Sequence, residues 1–113
     1  MKQSEQGLQV AVVGYLRMKV KDILFNGSPG GIRTSITQAR KMKAAGYKKG
    51  WPDLLILEPR GEYHGLAIEL KVKGNYASIH QKEVITKLRE RGYKADVCTG
   101  FDQAKETIDK YFD

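Results

Sequence analysis

The segment LAIELKVK, residues 66–73, carries a carboxylate and lysines at alternate positions. Side chains alternate between the two faces of a β-strand, so Glu69 and Lys71 share one face while leucine, isoleucine and valine occupy the other. An edge strand with one solvated face has the same pattern, and there the two residues would form a surface ion pair. The alternative is that further polar groups join them in a functional site.

A second carboxylate reaches the same face if residues 54–58 and 66–73 pair as an antiparallel hairpin. The apolar run LLILE, residues 54–58, is typical of a central strand, and the segment PRGEYHG turns the chain back. A turn centred near Gly61 and Glu62 places residue 53 opposite residue 70, so that Asp53 lies beside Glu69. Cross-strand neighbours lie about 5 Å apart, which lets two carboxylates share one cation.

Two carboxylates this close repel each other unless a cation compensates, and Mg²⁺ suits such a site because it takes oxygen ligands. Lys71 would then orient or deprotonate a water molecule, or stabilise negative charge on a phosphate. Glu5 and Gln81 are polar residues on otherwise apolar helix faces, which predicts that both point into the site. Each residue also has a plainer alternative: a turn-forming Asp53, a surface Glu69–Lys71 pair, a Gln81 that caps a backbone carbonyl, and a Glu5 placed by the helix dipole.

The surrounding pattern predicts helices and strands in the order α-β-α-β-β-α-β-α. Helices are indicated where apolar residues recur every three or four positions, and strands where apolar residues alternate or run together. Four helices are predicted: residues 4–19, a segment capped by residue 34 or 35 that ends before Gly46, residues 79–91, and a segment capped by Asp102. The predicted strands cover residues 20–25, 54–58, 66–73 and 93–98, and residues 26–31 are predicted to form a loop.

The predicted fold class is α/β: a small mixed sheet with helices on both faces. Strand, helix and strand in succession over residues 66–98 indicate a parallel crossover. The chain length of 113 residues favours a single domain, 1–113. The core-facing residues predicted for the helices are Leu8, Val12, Leu16, Val84, Ile85, Leu88, Ala104, Ile108 and Tyr111.

Composition narrows the class of protein and its partners. Hydrophobic residues make up 41% of the chain, and its apolar runs are too short to cross a bilayer. No secretion signal is recognised near Met1, and the single cysteine, Cys98, excludes an internal disulfide and a cysteine-based zinc site. We therefore expect a cytoplasmic protein without a membrane partner. The net charge of +7 favours a nucleic acid as partner.

The basic residues cluster before Trp51, while the acidic residues are scattered. The members of this cluster that we expect to contact DNA are Arg33, Arg40, Lys43, Lys48 and Lys49. The alternative is that they form a solvated, solubilising face. DNA would then follow another basic surface, formed by Lys82, Lys87, Arg89 and Arg91.

These motifs resemble a known nuclease family. GWPDLLIL followed by GLAIELKVK is similar to the PD-(D/E)XK nuclease superfamily, with Pro52-Asp53 and Glu69-Leu70-Lys71 as the motif. The longer pattern GWPD…IELK…S-x-x-Q…L-x-x-x-G-Y resembles the VRR-NUC family, stand-alone members of which occur in bacteriophages. The resemblance covers nearly the whole chain.

The resemblance implies a restriction-endonuclease-like fold and metal-dependent cleavage of DNA phosphodiester bonds. It implies that Mg²⁺, or Mn²⁺ in its place, is bound by two carboxylates and one backbone carbonyl, those of Asp53, Glu69 and Leu70. Lys71 would be the catalytic lysine, supported by Gln81. Glu5 is a further candidate metal ligand, directly or through a water molecule.

The resemblance also implies partners. Stand-alone members resemble Holliday-junction resolvases, which act as homodimers on branched DNA. Lys73 and Ser78 are expected DNA contacts, although the segment between them, GNYA, departs from relatives that often carry a basic residue and a proline there. Candidate dimer surfaces are the segment around Tyr76 and the last helix with Tyr111 and Phe112. The remaining alternatives are a binding module without catalysis, and a nuclease acting on RNA, flaps or DNA ends.

Overall fold

The computed structural model describes residues 3–28 and 34–113, which form a mixed sheet with helices on both faces. The helices are α1 (Glu5–Lys19), α2 (Ile36–Ala44), α3 (Ile79–Glu90) and α4 (Gly100–Phe112), and the strands are β1 (Phe25–Gly27), β2 (Leu54–Ile56), β3 (Leu66–Lys71) and β4 (Lys94–Thr99). This succession confirms the predicted order of elements. Residues 29–31 of the predicted loop and Arg33 lie outside the described residues.

Strand β3 lies inside the sheet. The strand order is β1-β2-β3-β4, with β3 antiparallel to β2 and parallel to β4, as the predicted crossover requires. All six residues of β3 are buried. The predicted alternation is correct, but the interpretation of β3 as an edge strand with one solvated face is wrong, because both of its faces are covered.

The apolar side chains of the sheet divide between two cores. On one face, Leu66, Ile68 and Leu70 pack against the buried stripes of α1 and α4. On the other face, Ala67 and Ala95 pack against the stripe of α3. The buried residues of the three helices are the predicted ones: Leu8, Val12, Leu16, Val84, Ile85, Leu88, Ala104, Ile108 and Tyr111.

A carboxylate joins the first helix to the last. The hydroxyl of Tyr15 on α1 donates a hydrogen bond to Asp109 on α4, which also accepts one from Lys105 at 2.9 Å. Lys19 Nζ lies 3.2 Å from the same carboxylate. The hydrogen bonds from Tyr15 and Lys105 hold the pKa of Asp109 below its usual value of 3.8. The ends of the chain are therefore connected by polar contacts as well as by the core.

The first strand begins later than predicted. The strand expected at residues 20–25 starts at Phe25 and continues through Gly27. Val20 instead ends α1, its backbone N–H donating to Leu16, and Asp22 takes the left-handed backbone conformation, with φ of 55°. The extended segment therefore starts only beyond this turn.

The other boundary differences are smaller. Strand β2 ends at Ile56 and β3 at Lys71, two residues short of the predicted ends. Asp102 does not cap the last helix. Thr99 is its N-cap residue, because Gly100, with φ of 80°, turns the chain directly from β4 into α4.

The hairpin register differs from the prediction by one residue. Leu54 pairs with Ile68. Continued by one step, this register sets Asp53 opposite Glu69, where the sequence-based estimate set it opposite Leu70. Since the side chains of directly opposed residues lie on the same face of a sheet, the two carboxylates face each other more directly than predicted.

Helix α2 stands apart from both cores. Ser35 is its N-cap residue, and its hydroxyl accepts a hydrogen bond from the backbone N–H of Gln38 at 3.1 Å, as capping rules predict. None of the residues of α2 is buried. Within the described ranges, no helix has the length and apolar character that crossing a membrane requires.

Candidate active site

Asp53 is held at the open end of the β2–β3 hairpin by contacts to both its side chain and its backbone. Its carboxylate oxygen Oδ2 accepts a hydrogen bond of 2.6 Å from the backbone N–H of Leu70. Its carbonyl accepts one of 2.7 Å from the backbone N–H of Ser28. Burial raises the pKa of Asp53 although the bond from Leu70 opposes this effect. The aspartate therefore has a fixed position and faces the sheet.

Glu69 is a buried carboxylate with an unused acceptor. It is 2% exposed, and its Oε2 accepts a hydrogen bond of 3.0 Å from Gln81 Nε2. Its other oxygen, Oε1, is buried without a hydrogen-bond partner among the described residues. Burial, followed by the negative charge of Asp53, raises the pKa of Glu69 to about 8. Leaving a buried acceptor unpaired is costly, so this oxygen marks a place for a ligand.

Lys71 lies between two carboxylates. Its ammonium nitrogen is 3.5 Å from Glu69 Oε2 and 3.6 Å from Glu5 Oε1, and the residue is 8% exposed. Glu5 reaches this position because it lies one turn before Leu8 on the buried stripe of α1. The contact of Glu5 is thus with Lys71, while its charge also raises the pKa of Asp53.

Gln81 connects the start of α3 to Glu69. Its side-chain oxygen accepts a hydrogen bond of 2.8 Å from the backbone N–H of Ser78, whose hydroxyl accepts one of 3.2 Å from the backbone N–H of Gln81. This reciprocal pair is a capping box. With its oxygen occupied in this way, the amide nitrogen of Gln81 points to Glu69. Gln81 therefore accepts from a backbone N–H and donates to a side chain, and among the described residues it caps no carbonyl.

Two residues near the site have no counterpart in the sequence-based prediction. Gln9, one turn after Glu5 on α1, donates its side-chain amide to the carbonyls of Ser28 at 3.1 Å and Asp53 at 3.5 Å. Ser28 also donates its hydroxyl to the carbonyl of Pro52 at 3.1 Å. These bonds fasten the end of β1 to the chain beside Asp53. The four-residue spacing of Gln9 from Glu5 was the available sequence signal, because it places both side chains on the same side of α1.

The predicted DNA contacts that lie within the described ranges are exposed, and one basic segment approaches the site. Arg40 and Lys43 lie on α2, and Lys48, Lys49 and Lys73 lie in loops. Gly50 packs directly on the first turn of α3, since a Cβ added to it would lie 2.6 Å from the backbone of His80 and 2.9 Å from the nitrogen of Gln81. The chain carrying Lys48 and Lys49 is therefore held beside the Gln81–Glu69 contact. Ser78 is the N-cap residue of α3, and Arg33 is outside the described residues.

The alternative basic surface on α3 is partly engaged in contacts within the chain. Arg89 donates to the carbonyl of Ala95 at 2.8 Å and pairs with Asp96. Arg91 donates to the carbonyl of Lys87 at 3.0 Å. This surface therefore offers fewer uncommitted cationic groups than the segment before Trp51.

The candidate dimer surfaces differ in exposure. Tyr76 is almost fully exposed. Tyr111 is buried, and its hydroxyl donates to the carbonyl of Glu58 at 2.6 Å, while Phe112 packs edge-to-face on Tyr111 and under Arg60. The aromatic residues of the last helix are thus used within the chain, and Tyr111 is not available to a second copy.

Comparison with known proteins decides the family. The model of the VRR-NUC domain matches residues 2–102. The chain belongs to the VRR-NUC family. A solved structure described as a VRR_NUC domain protein is 35% identical, with 98% of this chain and 89% of that chain covered and a TM-score of 0.84. Another, described as a VRR_NUC domain, is 23% identical over 91% of this chain and 96% of that one, with a TM-score of 0.56, and supports the fold alone. The curated proteins compared contain no match.

Membership of the VRR-NUC family identifies a nuclease-type domain and makes DNA the implied substrate. The mixed sheet with helices on both faces is the restriction-endonuclease-like α/β fold, and the placement in the PD-(D/E)XK superfamily is consistent with it.

The donor groups of this VRR-NUC domain fit a small divalent cation. The described residues contain no group of three His, Cys, Asp or Glu side chains close enough to form a metal site by themselves. Two adjacent carboxylates with raised pKa values, one carrying an unpartnered buried oxygen, are nevertheless present. Mg²⁺ is commonly held by one or two carboxylates and retains several waters. The donor set therefore suits Mg²⁺ better than a metal that requires a complete protein cage.

Proposed function

We propose that this VRR-NUC protein is a metal-dependent endonuclease that hydrolyses phosphodiester bonds in branched DNA, as Holliday-junction resolvases do. The observation that carries the proposal is the buried Glu69 oxygen without a partner, placed beside Asp53 and next to the ammonium group of Lys71. A purely structural Glu69–Lys71 pair would not need a second carboxylate against it, because that carboxylate adds repulsion.

The proposed cation ligands are the carboxylates of Asp53 and Glu69 and the backbone carbonyl of Leu70, with Glu5 as an outer contributor. The bond from Leu70 N–H to Asp53 fixes one carboxylate, and the bond from Gln81 fixes the other. When bound, Mg²⁺ or Mn²⁺ would neutralise this pair and withdraw negative charge from the phosphate.

Lys71 is proposed to act on the reacting groups directly. Hydrolysis requires a water oxygen to bond to phosphorus and give its proton to surrounding water, while the bond from phosphorus to the leaving oxygen breaks and that oxygen takes up a proton from solvent. The ammonium group of Lys71, held between Glu69 and Glu5, can donate hydrogen bonds to the attacking water or to the phosphate oxygens as charge develops. Gln81 keeps Glu69 from rotating away, so we assign it a positioning role.

DNA is proposed to approach across the basic segment. The predicted DNA contacts that carry a cation and are exposed in the described ranges are Arg40, Lys43, Lys48, Lys49 and Lys73, to which the sequence adds Arg33. A chain of this size spans little DNA, so we propose that two copies act together in making two cuts, in the cytoplasm, which would be that of the host cell if a bacteriophage encodes the protein.

The test is cleavage of a panel of DNAs with and without Mg²⁺. The panel contains a four-way junction, a flap, a linear duplex, single-stranded DNA and an RNA of matched length. We expect cleavage of the junction only with Mg²⁺, loss of cleavage in Asp53→Asn with DNA binding retained, and normal cleavage in Glu62→Gln, an exposed carboxylate in the hairpin turn. Preferred cleavage of flaps, ends or RNA would change the substrate, and wild-type binding without any cleavage would establish a binding module.

A further inference from the structure

Large apolar side chains remain exposed beside the candidate active site. Trp51 is 38% exposed, Tyr76 is 86% exposed and Ile79 is 69% exposed. Single exposed apolar residues are ordinary on protein surfaces, but neighbouring ones commonly mark a binding surface. None of the three belongs to the proposed catalytic group.

Chain connectivity keeps Trp51 and Ile79 close to the site, while Tyr76 lies in the loop that joins β3 to α3. Trp51 is two residues from Asp53, and Ile79 is two residues from Gln81, which limits each Cα separation to about 7 Å. The two segments are also in contact with each other, because Gly50 packs on the backbone of His80. Trp51 and Ile79 therefore lie on either side of a direct backbone contact.

Cationic residues alternate with these apolar ones along the chain. Lys48 and Lys49 precede Trp51, and Lys73 precedes Tyr76. Basic side chains that neutralise phosphates, interleaved with aromatic rings on which bases stack, are characteristic of surfaces that bind unpaired nucleic-acid strands. A fully paired duplex keeps its bases stacked on one another and offers no free base face to an aromatic ring.

We propose that Trp51, assisted by Tyr76 and Ile79, forms a stacking surface for unpaired bases next to the cleaved phosphate. This inference rests on the proposed nuclease function and deepens it. It makes the substrate a DNA whose strand is unpaired at or beside the cut, such as a flap, a gap or an opened junction centre. Selection among DNAs then depends on exposed bases, while the lysines bind any phosphate backbone.

The first measurement uses intrinsic fluorescence, because Trp51 is the only tryptophan of the chain. Wild-type protein is titrated in EDTA, so that the DNA stays intact, with a flap, a duplex of equal length, and the same flap with abasic sites in its unpaired strand. We expect the flap to change the fluorescence of Trp51 strongly and the duplex and abasic flap to change it little. Equal changes with the normal and abasic flaps would overturn the proposal without requiring any variant.

The second measurement compares affinities of variants. Trp51→Ala should weaken binding of the normal flap by about 5-fold to 150-fold, the range for loss of one stacked base, and Trp51→Phe should restore most of it. Tyr63→Ala, an exposed tyrosine at the opposite end of the hairpin, is the matched control and should bind as wild type does.

The loss of DNA affinity caused by Trp51→Ala should disappear when the abasic flap replaces the normal flap. An equal loss with both flaps would assign Trp51 a merely structural role and refute the stacking surface. Base-dependent fluorescence changes without cleavage of any DNA in Mg²⁺ would refute the proposed nuclease function and still support the stacking surface, so the two failures are distinguishable.

Discussion

Substitution of Gly50, compared with substitution of Gly46, should separate two costs to stability: strain in the left-handed backbone and displacement of α3. Gly50 has φ of 85°, and its missing Cβ would lie 2.6 Å from the carbonyl group of His80. Gly50→Ala should cost about 1–2 kcal/mol for the left-handed backbone. Forcing the first turn of α3 to move should add about 1–3 kcal/mol. Urea unfolding monitored by circular dichroism measures the sum.

The same displacement should impair catalysis. Gln81 lies on the turn that must move, and its 3.0 Å bond to Glu69 is the contact that holds this carboxylate. Cleavage at saturating DNA should therefore fall in Gly50→Ala well beyond the small fraction of unfolded molecules, while affinity for DNA should change less.

Gly46→Ala is the matched control. Gly46 lies in the same basic segment with φ of 102°, but an added Cβ there would meet nothing within 4 Å. The free energy of unfolding of Gly46→Ala should fall only by the backbone strain that the substitution introduces, about 1–2 kcal/mol, and its cleavage rate should not change. If the two variants unfold with free energies within about 0.5 kcal/mol of each other and cleave equally, the reasoning about the α3 contact is refuted.

Three further predictions concern the site, the basic segment and the ends of the chain. Lys71→Arg keeps the positive charge but replaces the compact ammonium group with a planar guanidinium, whose hydrogen-bond geometry differs, so turnover should be lost with DNA binding retained; near-normal cleavage would limit Lys71 to a simple electrostatic contact. The double replacement of Lys48 and Lys49 by Ala should weaken binding to all DNA alike and flatten the slope of log affinity against log salt by up to about 2, at about 0.9 per phosphate contact; an unchanged slope would move the DNA path elsewhere. Because the pKa of Asp109 is lowered in the folded state, the contribution of its carboxylate to the free energy of unfolding is present above its ordinary pKa of 3.8 and is lost as pH falls below that value. The difference in unfolding free energy between wild type and Asp109→Asn should thus be constant between pH 7 and pH 5 and shrink near pH 3, and a constant difference at all three pH values would contradict the contact.

Local periodicity was sufficient to predict which side chains share a face. The two-residue alternation of β3 placed Glu69 and Lys71 together, and the helical stripe of α1 placed Glu5 toward them. These inferences depend only on neighbours within a strand or a helix, where the geometry is repetitive. The hairpin register was wrong by one residue because it depends on the conformation of the turn, where Gly61 adopts a φ of 55°.

Contacts between distant segments were not predictable in the same way. The bond from Gln9 to the carbonyl of Asp53 joins residues far apart in the chain, and although its spacing from Glu5 places Gln9 on the same side of α1, that spacing does not identify the carbonyl that it contacts. The packing of Gly50 on His80 is equally non-local. The sequence pattern suggested that an inward Gln81 joins the site. The capping box of Ser78 and Gln81 is a local contact with the pattern S-x-x-Q, whereas the bond from Gln81 to Glu69 depends on how α3 is placed beside β3.

The absence of buried residues from α2 has a consequence for the amino-acid replacements that this helix tolerates. Amino-acid replacements at surface positions without core contacts usually alter stability by less than about 0.5 kcal/mol. The positions of α2 are of this kind, since none of them is buried. Charge and length can therefore vary in α2 while Asp53, Glu69 and the sheet that holds them remain constrained. Substitutions that change the charge of α2 should therefore alter the surface potential of this helix without disturbing the sheet.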